Sequence, residues 1–113
     1  MSKIYSVDSL KEIAGDDQDF MAVVAETFLT EIPPDLEALV GAVDNDNREL
    51  AYQFAHKMKP NLEMFGIDVL KDITAIEAWT RTSKNKAAIT SNLDKVVSTV
   101  KTVLKELKED FNL

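Results

Sequence analysis

The stretch Ile89-Thr90-Ser91-Asn92-Leu93-Asp94-Lys95-Val96-Val97-Ser98-Thr99-Val100-Lys101-Thr102-Val103-Leu104-Lys105-Glu106-Leu107 carries the pattern that decides the fold. Ile89, Leu93, Val96, Val100, Val103 and Leu107 recur at alternating steps of four and three. Residues spaced so lie along one stripe of an α-helix, and such a stripe is the seam by which bundled helices pack. The spacing predicts a helix over 86–110 that buries one face and solvates the rest.

The rest of the chain extends this reading in the N-terminal direction. Thr82-Ser83-Lys84-Asn85 is a polar turn, and before it 67–82 carries Leu70, Ile73, Ile76 and Trp79 at helical spacing. Gly66 closes a further helix over 48–65, for which Asn47 is a good N-cap. Asp44-Asn45-Asp46-Asn47 is a second polar turn. Upstream, Phe20, Met21, Val24, Phe28 and Ile32, then Leu36, Leu39, Val40 and Val43, mark 17–44. Pro33-Pro34 sits between the two runs, so 17–44 is one kinked helix or two stacked pieces. The acidic run Asp16-Asp17-Gln18-Asp19 suits its N-terminus. A short helix over 6–15 leads the chain, with Ser6 or Asp8 as cap, Leu10 and Ile13 as apolar contacts and Gly15 as its end. Long amphipathic helices with short connections predict an all-α, antiparallel four-helix bundle with a short additional N-terminal helix, filling 1–113 as one domain.

Composition narrows the function. The 113 residues include no Cys, one His, three Gly and three Pro, and 45% are hydrophobic. Without Cys there is no disulfide, thiol nucleophile or zinc knuckle, and a lone His makes a transition-metal site improbable. The net charge of −7 opposes binding to nucleic acid or an anionic membrane. Met1-Ser2-Lys3-Ile4-Tyr5 lacks the apolar core of a signal peptide, and no run is long enough to span a bilayer. The chain reads as soluble and cytoplasmic.

The lone histidine stands in Ala55-His56-Lys57-Met58-Lys59-Pro60-Asn61-Leu62-Glu63-Met64-Phe65-Gly66. With Met58 facing inward, roughly 100° per residue puts Ala51, Ala55, Leu62 and Phe65 on the buried side. Tyr52, His56, Lys59, Pro60 and Glu63 fall on the other. A surface histidine is most often a solvated side chain, but this one has an ammonium group one turn away, which suits reaction with an anion.

This run resembles the signature of the histidine-containing phosphotransfer (HPt) family, roughly A-H-x-L-K-G-S-x-x-x-[LF]-G on the second long helix of a four-helix bundle. Ala55, His56, Lys59, Phe65 and Gly66 match it. Met58 stands in for Leu, and Asn61 for a small polar residue. Pro60 departs from the pattern, which has Gly there to leave room beside the histidine. The resemblance in layout covers nearly the whole chain.

The resemblance implies a phosphorelay carrier. One ring nitrogen of His56, Nε2, would attack the phosphoryl group of a receiver-domain phospho-aspartate, while Nδ1 keeps its proton and is held by an acceptor. An imidazole is a good nucleophile near neutral pH. Lys59 would neutralise phosphoryl oxygens, and Lys57 would add to the local field. Glu77, about one helix length beyond Gly66, is the candidate Nδ1 acceptor; its bland alternative is a salt-bridged surface carboxylate.

There is no Gly-rich phosphate loop and no kinase constellation, so the chain would carry phosphate without kinase activity or a cofactor of its own. The implied partners are a response-regulator receiver domain and a hybrid sensor histidine kinase, met by a monomer. Ile13, Phe20, Met21 and Val24, with Pro60, are the candidate docking residues, because in HPt-like folds the preceding helix borders the site. Pro60 also keeps open a second reading, a degenerate bundle that docks a receiver without carrying phosphate.

Overall fold

Four α-helices make up most of the computed structural model, which describes Gly15 and residues 17–112: α1 Gln18–Asp44, α2 Arg48–Met64, α3 Leu70–Trp79 and α4 Thr90–Asp110. A 3₁₀ turn, Lys86–Ile89, leads into α4. No strand occurs among the described residues. The expected short helix over 6–15, and Ile13 with it, lie outside them.

Each boundary has a local cause. Asp17 caps α1 by accepting from the Phe20 N–H, and Asn47 caps α2 by accepting from the Leu50 N–H. Helix α1 ends where Asp46 turns left-handed at φ 56°, and the Asn47 N–H reaches back to the Ala42 carbonyl. Helix α2 ends in the same way: Gly66 adopts φ 63°, and the Ile67 N–H bonds the Leu62 carbonyl. This hydrogen-bonded stop needs a residue tolerant of positive φ, which Gly supplies freely. Helix α1 is one continuous element with Pro33 and Pro34 inside it.

Helix α3 is shorter than the periodicity over 67–82 predicts. Ile67 and Val69 are buried, but from the connection rather than from a helix. The stop at Gly66 forces the chain to turn before α3 can begin, and those two side chains seal the end of the core as it turns.

The core is one cluster drawn from all four helices. Ala51, Ala55, Met58 and Leu62 are fully buried, as are Val96, Val100, Val103 and Leu107, with Ile89 and Leu93 nearly so. In sequence order each helix packs on the next, and α4 returns to α1. Helices α2 and α4 therefore sit across the ring from one another, and their seams meet only through the centre. The result is a rod of 47 × 22 × 21 Å. No described helix is long and apolar enough to cross a membrane.

Trp79 fastens one end. Its ring is buried, and its Nε1 donates to the carbonyls of Lys84 and Asn85 at 3.0 and 2.9 Å. The Arg48 guanidinium lies 4.2 Å from the ring centroid and donates to the carbonyls of Trp79, Thr82 and Lys84. One cation thus ties the start of α2 to the turn after α3.

Candidate functional site

His56 projects from α2 on the side away from Ala55 and Met58, and 66% of its side-chain surface is exposed. Nδ1 lies 3.1 Å from Glu77 Oε2 on α3. Lys59, three residues on from His56, donates from Nζ to the other oxygen, Oε1, at 2.8 Å. Glu77 is buried and so holds both groups from beneath. Burial pushes its carboxyl up, but the hydrogen bonds from Lys59 and His56, with their charges, outweigh that and hold it below its usual range. The hydrogen bond from Glu77 leads in raising the Lys59 ammonium above its ordinary value, against desolvation.

These bonds fix the chemistry of the ring. An ionised carboxylate only accepts, so Nδ1 must carry the proton when it bonds Glu77. In the neutral imidazole, Nε2 then holds the free lone pair. Among the described residues nothing bonds Nε2, and His56 lines a shallow cleft with Tyr52, Lys59, Thr74, Glu77, Ala78 and Arg81. The arrangement presents a nucleophilic nitrogen to solvent, with a paired cation at its side.

Lys57 points away from this cleft. Its Nζ donates to Asp35 Oδ1 at 3.0 Å, pairing an exposed ammonium with a buried carboxylate of α1. The local attraction expected from Lys57 and Lys59 is thus largely compensated within the protein. Arg81 is different. Its guanidinium lies 5.3 Å from the Tyr52 ring centroid and makes no ion pair among the described residues. Tyr52 in turn stacks on His56, with centroids 5.7 Å apart and planes 7° from parallel.

The docking candidates divide. Phe20 is 47% exposed and Val24 half-buried, and both line an apolar hollow with Val23, Thr27, Phe28, Asn61 and Met64. Met21 is corrected to a core residue, only 2% exposed. It shares the inward stripe with Ala25, Phe28 and Ile32, whereas Phe20 lies one helical step, about 100°, around the axis. Pro60 is exposed, beside Lys59 on the His56 helix.

Sequence reasoning missed Val23, Met64, Tyr52 and Arg81. The first two carried a signal, since each is a large apolar residue off its helix's inward stripe. The position of Arg81 one helical turn after Glu77 mirrors that of Tyr52 one turn before His56, but only the register of α3 against α2 reveals the match. No cluster of three or more His, Cys, Asp or Glu side chains among the described residues is placed to hold a metal ion. No family model, curated protein or solved structure matches the chain.

Proposed function

We propose that this chain is a histidine phosphotransfer protein of a two-component phosphorelay, taking a phosphoryl group onto His56 from a receiver-domain aspartate and passing it to another. The observation that carries the reading is the divided imidazole: Nδ1 held by the Glu77 carboxylate, Nε2 without a bond among the described residues, His56 on the wall of an open cleft, and Lys59 at its side. A merely solvated histidine has no need of a buried acid shared with a lysine.

Transfer would begin with the Nε2 lone pair attacking phosphorus. The bond from phosphorus to the aspartyl oxygen breaks, and the aspartate leaves as a carboxylate. Nε2 becomes phosphorylated while the proton stays on Nδ1, where Glu77 stabilises the cationic ring. Lys59 can turn from Glu77 toward the phosphoryl oxygens as their charge arrives. The reverse sequence passes the group on. The chain supplies no nucleotide chemistry in this scheme, being a carrier rather than a kinase.

The proposal includes an antiparallel bundle with an additional N-terminal helix, acting as a cytoplasmic monomer. Short connections favour antiparallel neighbours. So does the pairing of Tyr52 with Arg81 one turn to the other side of the His56–Glu77 pair. A receiver domain and a hybrid sensor histidine kinase are the proposed partners, docking over Phe20, Val23 and Val24. Asn61 and Met64 border that hollow on the same helix as His56, with Asn61 about 7.5 Å along the axis.

The direct test is phosphoryl transfer from a phosphorylated receiver. His56→Gln should keep the fold, because the side chain is largely exposed, and should abolish acid-labile labelling. Labelling that persists in the variant rejects the mechanism. Pro60 favours a second reading, in which the bundle docks a receiver and accepts nothing; a parent that binds receiver without becoming labelled supports it.

A further inference from the structure

A single hydrogen bond leaves an exposed imidazole free to pivot. The Nδ1 to Glu77 contact fixes one edge of the His56 ring, but the ring plane can still rotate about that bond. The Nε2 lone pair lies in the ring plane, so the plane determines the direction in which Nε2 attacks. Something must hold the face of the ring if that direction is to be defined before a donor arrives.

Tyr52 is placed to do this. It precedes His56 by four residues on α2, the spacing at which helical side chains are surface neighbours. Its ring lies 7° from parallel to the imidazole at 5.7 Å between centroids, an offset stack. Arg81 covers Tyr52 at 5.3 Å. Glu77 on α3 and Arg81, four residues on in the turn that follows it, thus hold His56 and Tyr52, one turn apart on α2. The Tyr52 hydroxyl makes no hydrogen bond among the described residues, so the ring and not the hydroxyl is what the arrangement uses.

We infer that Tyr52 is a positioning residue for His56, holding the imidazole by its face while Glu77 holds it by its edge. The kinetic part of this inference rests on the phosphotransfer reading; the structural part does not.

The test compares Tyr52→Phe and Tyr52→Leu with the parent, each checked for helix content and melting. Nuclear Overhauser effects from the His56 ring protons to its own backbone and to residue 52 report the ring orientation in the unphosphorylated protein, and transfer from a phosphorylated receiver reports the rate. The parent and Tyr52→Phe should show one ring orientation and equal rates. Tyr52→Leu should keep the proton on Nδ1, average over several ring orientations and lose about tenfold in rate, because the ring is no longer held for attack. Tyr52→Leu matching the parent in ring orientation overturns the inference, as does a loss of orientation that leaves the rate unchanged. Tyr52→Phe behaving like Tyr52→Leu also overturns it, by pointing to the hydroxyl. If the parent accepts no phosphate, the phosphotransfer reading falls, and the orientation comparison still decides whether Tyr52 holds the ring.

Discussion

Glu77 is the residue on which the site turns, because it is buried and bonds both His56 and Lys59. Its acid is held below the ordinary 4.5, so its contribution to stability is complete above that pH and disappears as pH falls through the lowered folded value. Lys59 is raised above the ordinary 10.5, so its contribution is present below that pH and lost as pH rises through the raised folded value. Glu77→Gln should therefore lower the thermal midpoint by a few degrees between those limits, and the gap between variant and parent should close only as pH falls through the lowered folded value, below the usual range of carboxylate titration. A gap that stays constant into acid would mean that the Glu77 charge does nothing for the fold. The sequence supports placing Glu77 near His56, since one helix and one short connection separate them. It does not support choosing between Phe20 and Met21, because adjacent helical positions differ by about 100° and packing alone decides which is buried.

Pro60 poses the question at the scale of the element. Proline inside a helix removes a hydrogen bond and crowds the preceding turn, at a cost of about 3 kcal/mol. Helix α2 nonetheless runs through it to Met64. The exposed position of Pro60 explains why: the opposite face buries Ala51, Ala55, Met58 and Leu62 completely, and a buried Met or Leu contributes about 1.5–3 kcal/mol. The same logic carries α1 through Pro33 and Pro34, with Ile32 and Leu36 buried on either side. Periodicity alone left that helix undivided or split, because the cost of a proline is local while the burial that offsets it is tertiary. Pro60→Gly restores the N–H that faces the His56 carbonyl and clears the space beside the imidazole. It should stabilise the fold by about 1 kcal/mol, the difference in helical cost less the entropy glycine returns to the unfolded chain. It should also accept phosphate faster than the parent, as single-turnover labelling would report. An equal or slower variant would mean that Pro60 fits its partner, and transfer confined to the variant would mark the natural chain as a docking module.

At the scale of the whole molecule, the seam of α4 was enough to predict a helical bundle but not its ring order. A stripe shows that a helix is covered and leaves open by which neighbours, so the placement of α2 across from α4 is legible only in the structure. The order matters for docking because it brings Phe20 and Val23 of α1 beside Asn61 and Met64 of the His56 helix, leaving α4 away from that face. The net charge of −7 gives no general attraction to an acidic receiver pocket, and Lys57 and Lys59 are already paired with Asp35 and Glu77. On the proposed docking, the apolar hollow supplies most of the contact. Val23 is 57% exposed, so Val23→Asp should change stability by no more than about 0.5 kcal/mol, as is usual for surface positions. In a receiver interface it would bury an unpaired charge at the dry centre, which should weaken binding by at least tenfold, or about 1.4 kcal/mol. Lys101→Asp on the exposed side of α4 changes the charge by two units rather than one, away from the hollow, and should still leave affinity within about twofold, a shift of under 0.5 kcal/mol. Calorimetric titration of both variants with one receiver separates a docking face on α1 and α2 from one on α4: a strong loss at Lys101 with none at Val23 would move the interface to the C-terminal helix and leave His56 outside it.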